Sequence, residues 1–353
     1  MKPTRSNNLM WNIGSGVLFG LLLISCAPPA VKTNALVPAR FHEATTLREV
    51  AVLPFDGPGG KEFAAEIEGV LASVNIDDKQ YFTMIDRTKL DKILTEQALS
   101  QTGSIDESSA AKVGKLVGAK GIYAGVITAR NVANTPYTEE REECSQYQTL
   151  YDKQGKAYQG SCLSYRKWTV QCSQKNATFS FTPKLISVES GRIIYSNNCV
   201  GTGSGKGCTD RGGLPSDQIL LGTAISAAKM NFKKDVAPNY VLVTIRLMDS
   251  KDGITSKEAG EKLDQSLDFA KHNRLDRACE LWGEARILSP SSATLLYNLG
   301  VCAEARGDLD NALNLFKKAD RALNKPNDLI TAGIGRVSES IRKQQILKEQ
   351  LKK

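Results

Sequence analysis

The residues best able to do chemistry in this chain are its thiols. Eight cysteines stand against two histidines, His42 and His272, in 353 residues. Cys144, Cys162, Cys172, Cys199 and Cys208 cluster mid-chain, Cys279 and Cys302 follow, and Cys26 stands alone near the start. A zinc site wants ligands paired at C-x2-C spacing with histidines close by. Neither condition is met, so no metal is expected. Oxidised pairing is the other chemistry open to thiols. The tip "DKQG" folds residues 144–162 into a hairpin whose ends bring Cys144 to Cys162. The turn "ESGR" folds another, whose extension carries Cys172 towards Cys208, while Cys199 and Cys208 closing a small loop is the competing pair. Five thiols cannot all pair among themselves, so one is free or reaches elsewhere. Cys279 and Cys302 fall on adjacent helices, either as a disulfide or as two packed thiols.

Other chemistry fails its spacing tests. A phosphate-binding loop needs G-x-x-x-x-G-K-[ST]; around Gly205-Lys206 the earlier position is Val200 and the residue after the lysine is Gly207. G-x-G-x-x-G fails as well, so "GTGSGKG" reads as a flexible loop. Asp86-Arg87 reads as a charge pair at the start of a helix. With no Ser-His-Asp set, carboxylate pair or cofactor loop, no catalytic residue, no cofactor and no enzyme activity are expected. Net charge is +8, but its one basic cluster, "RKQQILKEQLKK" from Arg342, lacks interleaved aromatics. It reads as a solvated helix face, and no nucleic-acid partner is expected.

The compartment is set by the N-terminus. Lys2 and Arg5 precede an apolar run from Gly16 to Ile24, about half the ~20 residues a membrane-spanning helix needs. The run ends in Leu23-Ile24-Ser25-Cys26, which resembles a bacterial lipobox, whose cysteine is acylated and becomes the mature N-terminus. Residues 1–25 are then a signal peptide, Cys26 the lipidation site, and the Pro/Ala-rich stretch 26–47 a tether. By the same resemblance, Ala27 implies the outer membrane, with the protein facing the periplasm, where disulfides persist.

Two groups of elements must position these residues. From residue 48 the pattern runs β-α-β-α-α-β: a buried strand in "REVAVLPF", a helix burying Phe63, Ile67, Val70, Leu71 and Val74, a short strand "YFTMIDR", and a helix with Leu90, Ile93 and Leu94. A helix between Asp106 and Gly118 and the strand "GIYAGVITA" follow. This is an α+β or α/β layout, a mixed sheet with flanking helices. "VAVLPF", "FTMIDRTKLDKILTEQ", "SAAKVGKLVGAKGIYAGVIT" and "FTPKLISVESGRIIYSN" in that order resemble the periplasmic domain of the CsgG family of curli secretion lipoproteins. The resemblance spans residues 48–250 and is shared with LpoB-type activators of peptidoglycan synthases. It implies a homo-oligomer. That family's pore needs two membrane-crossing hairpins per subunit. Here "ECSQYQTLYDKQGKAYQGSC" is polar on both faces, and "CVGTGSGKGCTDRGG" is too short, so a ring is expected in the periplasm.

After a polar linker at 251–258, "LDRACELWGEARILSPSS" and "LDNALNLFKKADRALNKP" align at an offset of 34: Leu275 with Leu309, Ala278 with Ala312, Trp282 with Phe316. This is the tetratricopeptide pattern, giving an all-α domain over 259–350 that ends in a capping helix. Such repeats hold a protein or peptide partner in a groove lined by first helices, here Leu263, Leu267, Lys271, Tyr297, Asn298 and Glu304. The sequence as a whole predicts a lipid-anchored scaffold or accessory factor for assembling or secreting envelope material. An oligomeric export channel and an activator of a peptidoglycan synthase are the alternatives.

Overall fold

The computed structural model describes residues 28–96 and 106–352. The expected signal peptide and lipidation site, residues 1–25 and Cys26, lie outside them. The sheet of the first domain follows the expected order. Strand β2 (Glu49–Val52) lies between β5 (Thr83–Met84) and β6 (Gly121–Tyr151), parallel to both; β7 (Ala157–Ser187) then runs antiparallel to β6. The far edge of β7 is shared between β8 (Ile193–Ser196) and β9 (Cys199–Cys208).

The continuous apolar run at β2 has a direct cause: both faces of the sheet are covered. Val50 and Val52 pack with Tyr123, Phe179 and Phe181 beneath α1 (Gly60–Ala72) and α4 (Asp217–Val236). Ala51 and Leu53 pack with Ile122, Ala124 and Ile186 beneath α2 (Arg87–Glu96) and α3 (Glu107–Val117). Asp106 caps α3 by accepting from the Ser109 amide, and Gly118 ends it in the left-handed region.

The Gly-rich stretch corrects the sequence reading. It is not a loop but strand β9, with Gly201, Gly203, Gly205 and Gly207 all on one face. A Cβ at Gly201 would lie 2.0 Å from the Ala224 carbonyl oxygen, and one at Gly203 would lie 2.4 Å from that of Leu220. The bare face lets the backbone of α4 settle directly on the strand.

The hairpin through "DKQG" is also far longer than expected. Its strands β6 and β7 have 31 residues each. β9 stops pairing at Cys208–Cys172, so residues 138–151 and 157–171 leave the sheet as a lone two-stranded ribbon. At ~3.3 Å per residue it projects about 45 Å.

The C-terminal part is helical throughout: α5 (Lys257–Lys271), α6 (Leu275–Leu288), α7 (Ala293–Ala305), α8 (Leu309–Arg321) and α9 (Asp328–Leu351). Trp282 and Phe316 are fully buried at equivalent places. Phe316 fits because Gly300 faces it: a Cβ there would meet the ring at 2.5 Å.

One element was absent from the sequence reading. Within the stretch taken for a tether, Ala30–Val37 forms strand β1, antiparallel to β10 (Asn239–Arg246), and Val31 is buried in the core of the repeats. The domains also meet at the end of α9. Gln350, 1% exposed, accepts from the Ala39 amide and donates to its carbonyl, while Arg48 and Tyr81 donate to the Gln350 carbonyl. The basic tail is therefore a docked helix end as well as a solvated face.

Candidate protein interaction site

The groove in the helical C-terminal part, where the repeats are expected, is built chiefly by α5, α7 and α9. The six residues expected to line it do not share one exposed surface. Leu263, Tyr297 and Asn298 are at most 1% exposed and Leu267 is buried, whereas Lys271 is exposed. Glu304, at the end of α7, holds Arg336 of α9 through two bonds of 2.6 and 2.8 Å.

The buried ones face an occupant that belongs to this chain. Asn298 Nδ2 donates to the Met248 carbonyl at 2.8 Å, and the Met248 amide donates to Asn298 Oδ1 at 3.0 Å. Tyr297 Oη donates to the Arg246 carbonyl and Thr294 Oγ1 to the Ser250 carbonyl, at 2.9 and 2.8 Å. Helix α7 thus holds backbone groups at 246, 248 and 250, the alternate positions that an extended strand presents on one side. Ile245, Leu247 and Met248 fill the apolar floor with Val31, and β1 touches α5, α7 and α9. Burial pushes the Tyr297 hydroxyl up from its ordinary value.

This corrects the expectation of an open groove at these positions. A cavity of about 390 Å³ remains beside the second half of β1, between Thr33–Pro38, Glu304, Arg336, Glu339 and Lys343.

The thiols fall as follows. Cys144–Cys162 crosses the ribbon, Cys172–Cys208 closes its base, and Cys279–Cys302 ties α6 to α7. Cys199 is free and buried, 1% exposed, so the Cys199–Cys208 alternative is not used. Directly paired strands explain the choice: Cys208 stands opposite Cys172, while Cys199 stands opposite Phe181 at the other end of β9. Glu139 approaches the Cys172–Cys208 sulfurs, but both are consumed by the disulfide.

Sequence reasoning missed the setting of Cys199. The fully buried Asp235 accepts from Tyr195 Oη at 3.0 Å, from Asn197 Nδ2 at 2.8 Å and from Arg40 at 3.2 Å. That carboxylate ties the segment after β1 to α4. Burial first, and Asp235 second, push the Cys199 thiol up to about 12. No local sequence signal could have found this set, because its members come from three separate segments, around Arg40, at 195–199 and at Asp235.

A strand of the N-terminal segment, a mixed sheet under two helix pairs and a ribbon grown from its central strands can now be set beside known proteins. Residues 28–136 match the family model for the curli production assembly/transport component CsgG. The match starts at β1 and ends within β6, upstream of and shorter than the 48–250 read from sequence. It gives the CsgG-like domain a first element where a tether was expected. Among curated proteins none matches. Solved structures similar to the chain include the LpoB C-terminal domain from Salmonella enterica, 14% identical over 44% of this chain and 83% of that one, TM-score 0.25. The PelC dodecamer from Paraburkholderia phytofirmans is 14% identical over 59% and 99%, TM-score 0.23. Lipoprotein GNA1162 from Neisseria meningitidis is 12% identical over 52% and 96%, TM-score 0.24. At these scores the structural likenesses carry no argument of their own.

Proposed function

We propose that this protein is an outer-membrane-anchored periplasmic lipoprotein that serves, without catalysis, as a scaffold or accessory factor in assembling or secreting cell-envelope material. One observation carries the reading: the CsgG match begins at residue 28, two positions after the lipobox cysteine Cys26. The CsgG-like domain is the self-associating part, and the repeats contact a partner protein. Since the chain just beyond β10 fills the groove around Asn298, that contact falls to the part left open between β1 and α9. The test is fractionation of cells carrying Cys26→Ala. Release of the variant into the soluble periplasm supports the reading. Retention in the outer membrane after a salt wash refutes lipid anchoring.

A second reading, a CsgG-like export channel, is favoured by the 31-residue strands β6 and β7, long enough to cross a bilayer. The ribbon's charge pattern weighs against it. Glu139, Arg141 and Glu143 alternate with Glu140 and Glu142, so both faces carry charge, and a lipid-facing strand keeps one face apolar. A large steady conductance in planar bilayers would reinstate the channel.

A further inference from the structure

We propose that the repeat domain is the membrane-facing end of the molecule, held against the phospholipid headgroup layer by the strand in its own groove. The proposal rests on Cys26 being acylated, as argued above. Its basis is how little chain lies between that cysteine and the clamp. β1 makes eight register pairs with β10, and the Leu247 amide donates to the Pro29 carbonyl at 2.8 Å. Cys26 is two residues before Pro28, so its Cα lies at most about 8 Å from that residue's whatever path the chain takes. The acylated sulfur must reach the bilayer interface from there. The gap is no wider than a helix, ~10–12 Å with side chains. The CsgG-like core is joined only after β1, roughly 26 Å further along the chain.

A surface reached a few residues further along the chain carries an exposed apolar side chain. Beyond Leu247 the chain passes Ser250 and turns into α5 alongside the α6–α7 connection, where Thr255 Oγ1 donates to the Leu288 carbonyl. Ile287, one residue earlier, is 81% exposed, the most of any large apolar side chain among the described residues. Lys251 and Lys257 are exposed close by in sequence, and Arg286 precedes the isoleucine. Lys251 and Lys257 are paired with Asp264 and Glu261, so the surface is mixed in charge and the exposed isoleucine is what suits it to the headgroup layer.

The chain carries its own probe. Once residues 1–25 are removed, the tryptophans are Trp168 on the ribbon and Trp282 inside the repeats. Trp168→Phe leaves Trp282 alone, and Trp168 is exposed enough for the change to be tolerated. The experiment reconstitutes the full lipidated variant into phosphatidylethanolamine/phosphatidylglycerol vesicles doped with dansyl-phosphatidylethanolamine, and measures energy transfer from Trp282. A second variant carries a flexible Gly/Ser spacer of about 30 residues between Ala27 and Pro28. Strong transfer that drops several-fold with the spacer is the expected result. Equal transfer with and without the spacer, in protein that still floats with the vesicles, overturns the proposal while leaving lipid anchoring intact. Failure to float refutes the anchoring itself, and the proposal falls with it.

Discussion

Asn298 spends both ends of its amide on one backbone unit, that of Met248, deep in the repeat core. Replacing it with Leu leaves a buried donor and a buried acceptor unpaired. We expect a loss of about 2–4 kcal/mol in chemical denaturation, since each such group costs about 1–3. A loss under half that would mean that water or a shifted strand replaces the amide. The repeat register alone pointed Tyr297 and Asn298 into the groove. What they hold was not legible, because their partners lie 50 residues away or more along the chain. Cys199 gives a second test at this scale. Its folded value of about 12 lies above the ordinary 9.0, so the folded state keeps a proton that the unfolded chain releases. This contribution to stability is whole below pH 9 and is lost as pH climbs from 9 to 12. Native protein at pH 8 should therefore resist iodoacetamide at Cys199 and react on unfolding. Rapid native alkylation would show that the thiol is neither buried nor protonated.

Elements differ in how openly the sequence declares them. β2, α1 and α3 were readable because apolar spacing and caps are local. β9 was not, since a glycine stripe looks like a loop unless α4 is known to lie on it. Gly201→Val should force α4 away from the sheet and leave little folded protein, by circular dichroism and solubility. Gly118, whose Cβ would meet nothing within 4 Å, is strained only by its φ of 82° and should cost far less on substitution with Asn. The ribbon was half legible: its tip and its disulfide partners followed from the turn, its length did not. A lone two-stranded ribbon is marginal in water, and its exposed ion pairs, Arg166–Glu143 and Lys167–Glu142, add little. The Cys144–Cys162 crosslink must do most of the stabilising. In a Cys144→Ser/Cys162→Ser variant, proteolysis within 145–161 should rise sharply while the melting of the sheet domain stays put. A matching drop in the domain's own midpoint would show that the ribbon is part of its core.

For the whole molecule, a mixed-sheet part followed by an all-helical part was readable, but not their interdependence. A polar linker at 251–258 and separate sequence patterns mark off two units. Yet Val31, Ile245, Leu247 and Met248 belong to the core of the repeats, and Gln350 closes onto Ala39 of the other domain. Deleting 259–353 should therefore expose this apolar strip and give an unstable or aggregating product rather than a clean monomer or ring, by light scattering and thermal melting. A truncated protein that melts as cooperatively as the full chain would show that β1 and β10 need no repeats beneath them.

The pairing of β1 with β10 also sets an order of events in time. The partners are separated by 202 residues at Val37–Asn239 and by 216 at Ala30–Arg246. In a chain made N-terminus first β1 comes early, yet its mate arrives only after the whole sheet domain has followed. Long-range pairing of this kind closes slowly, because the loop entropy is lost before any contact forms. Until then the first strand is an unpaired apolar segment, open to whatever chaperone meets the emerging chain. Its closure in the groove must therefore wait for β10 and for α7, the helix that holds the chain beyond it.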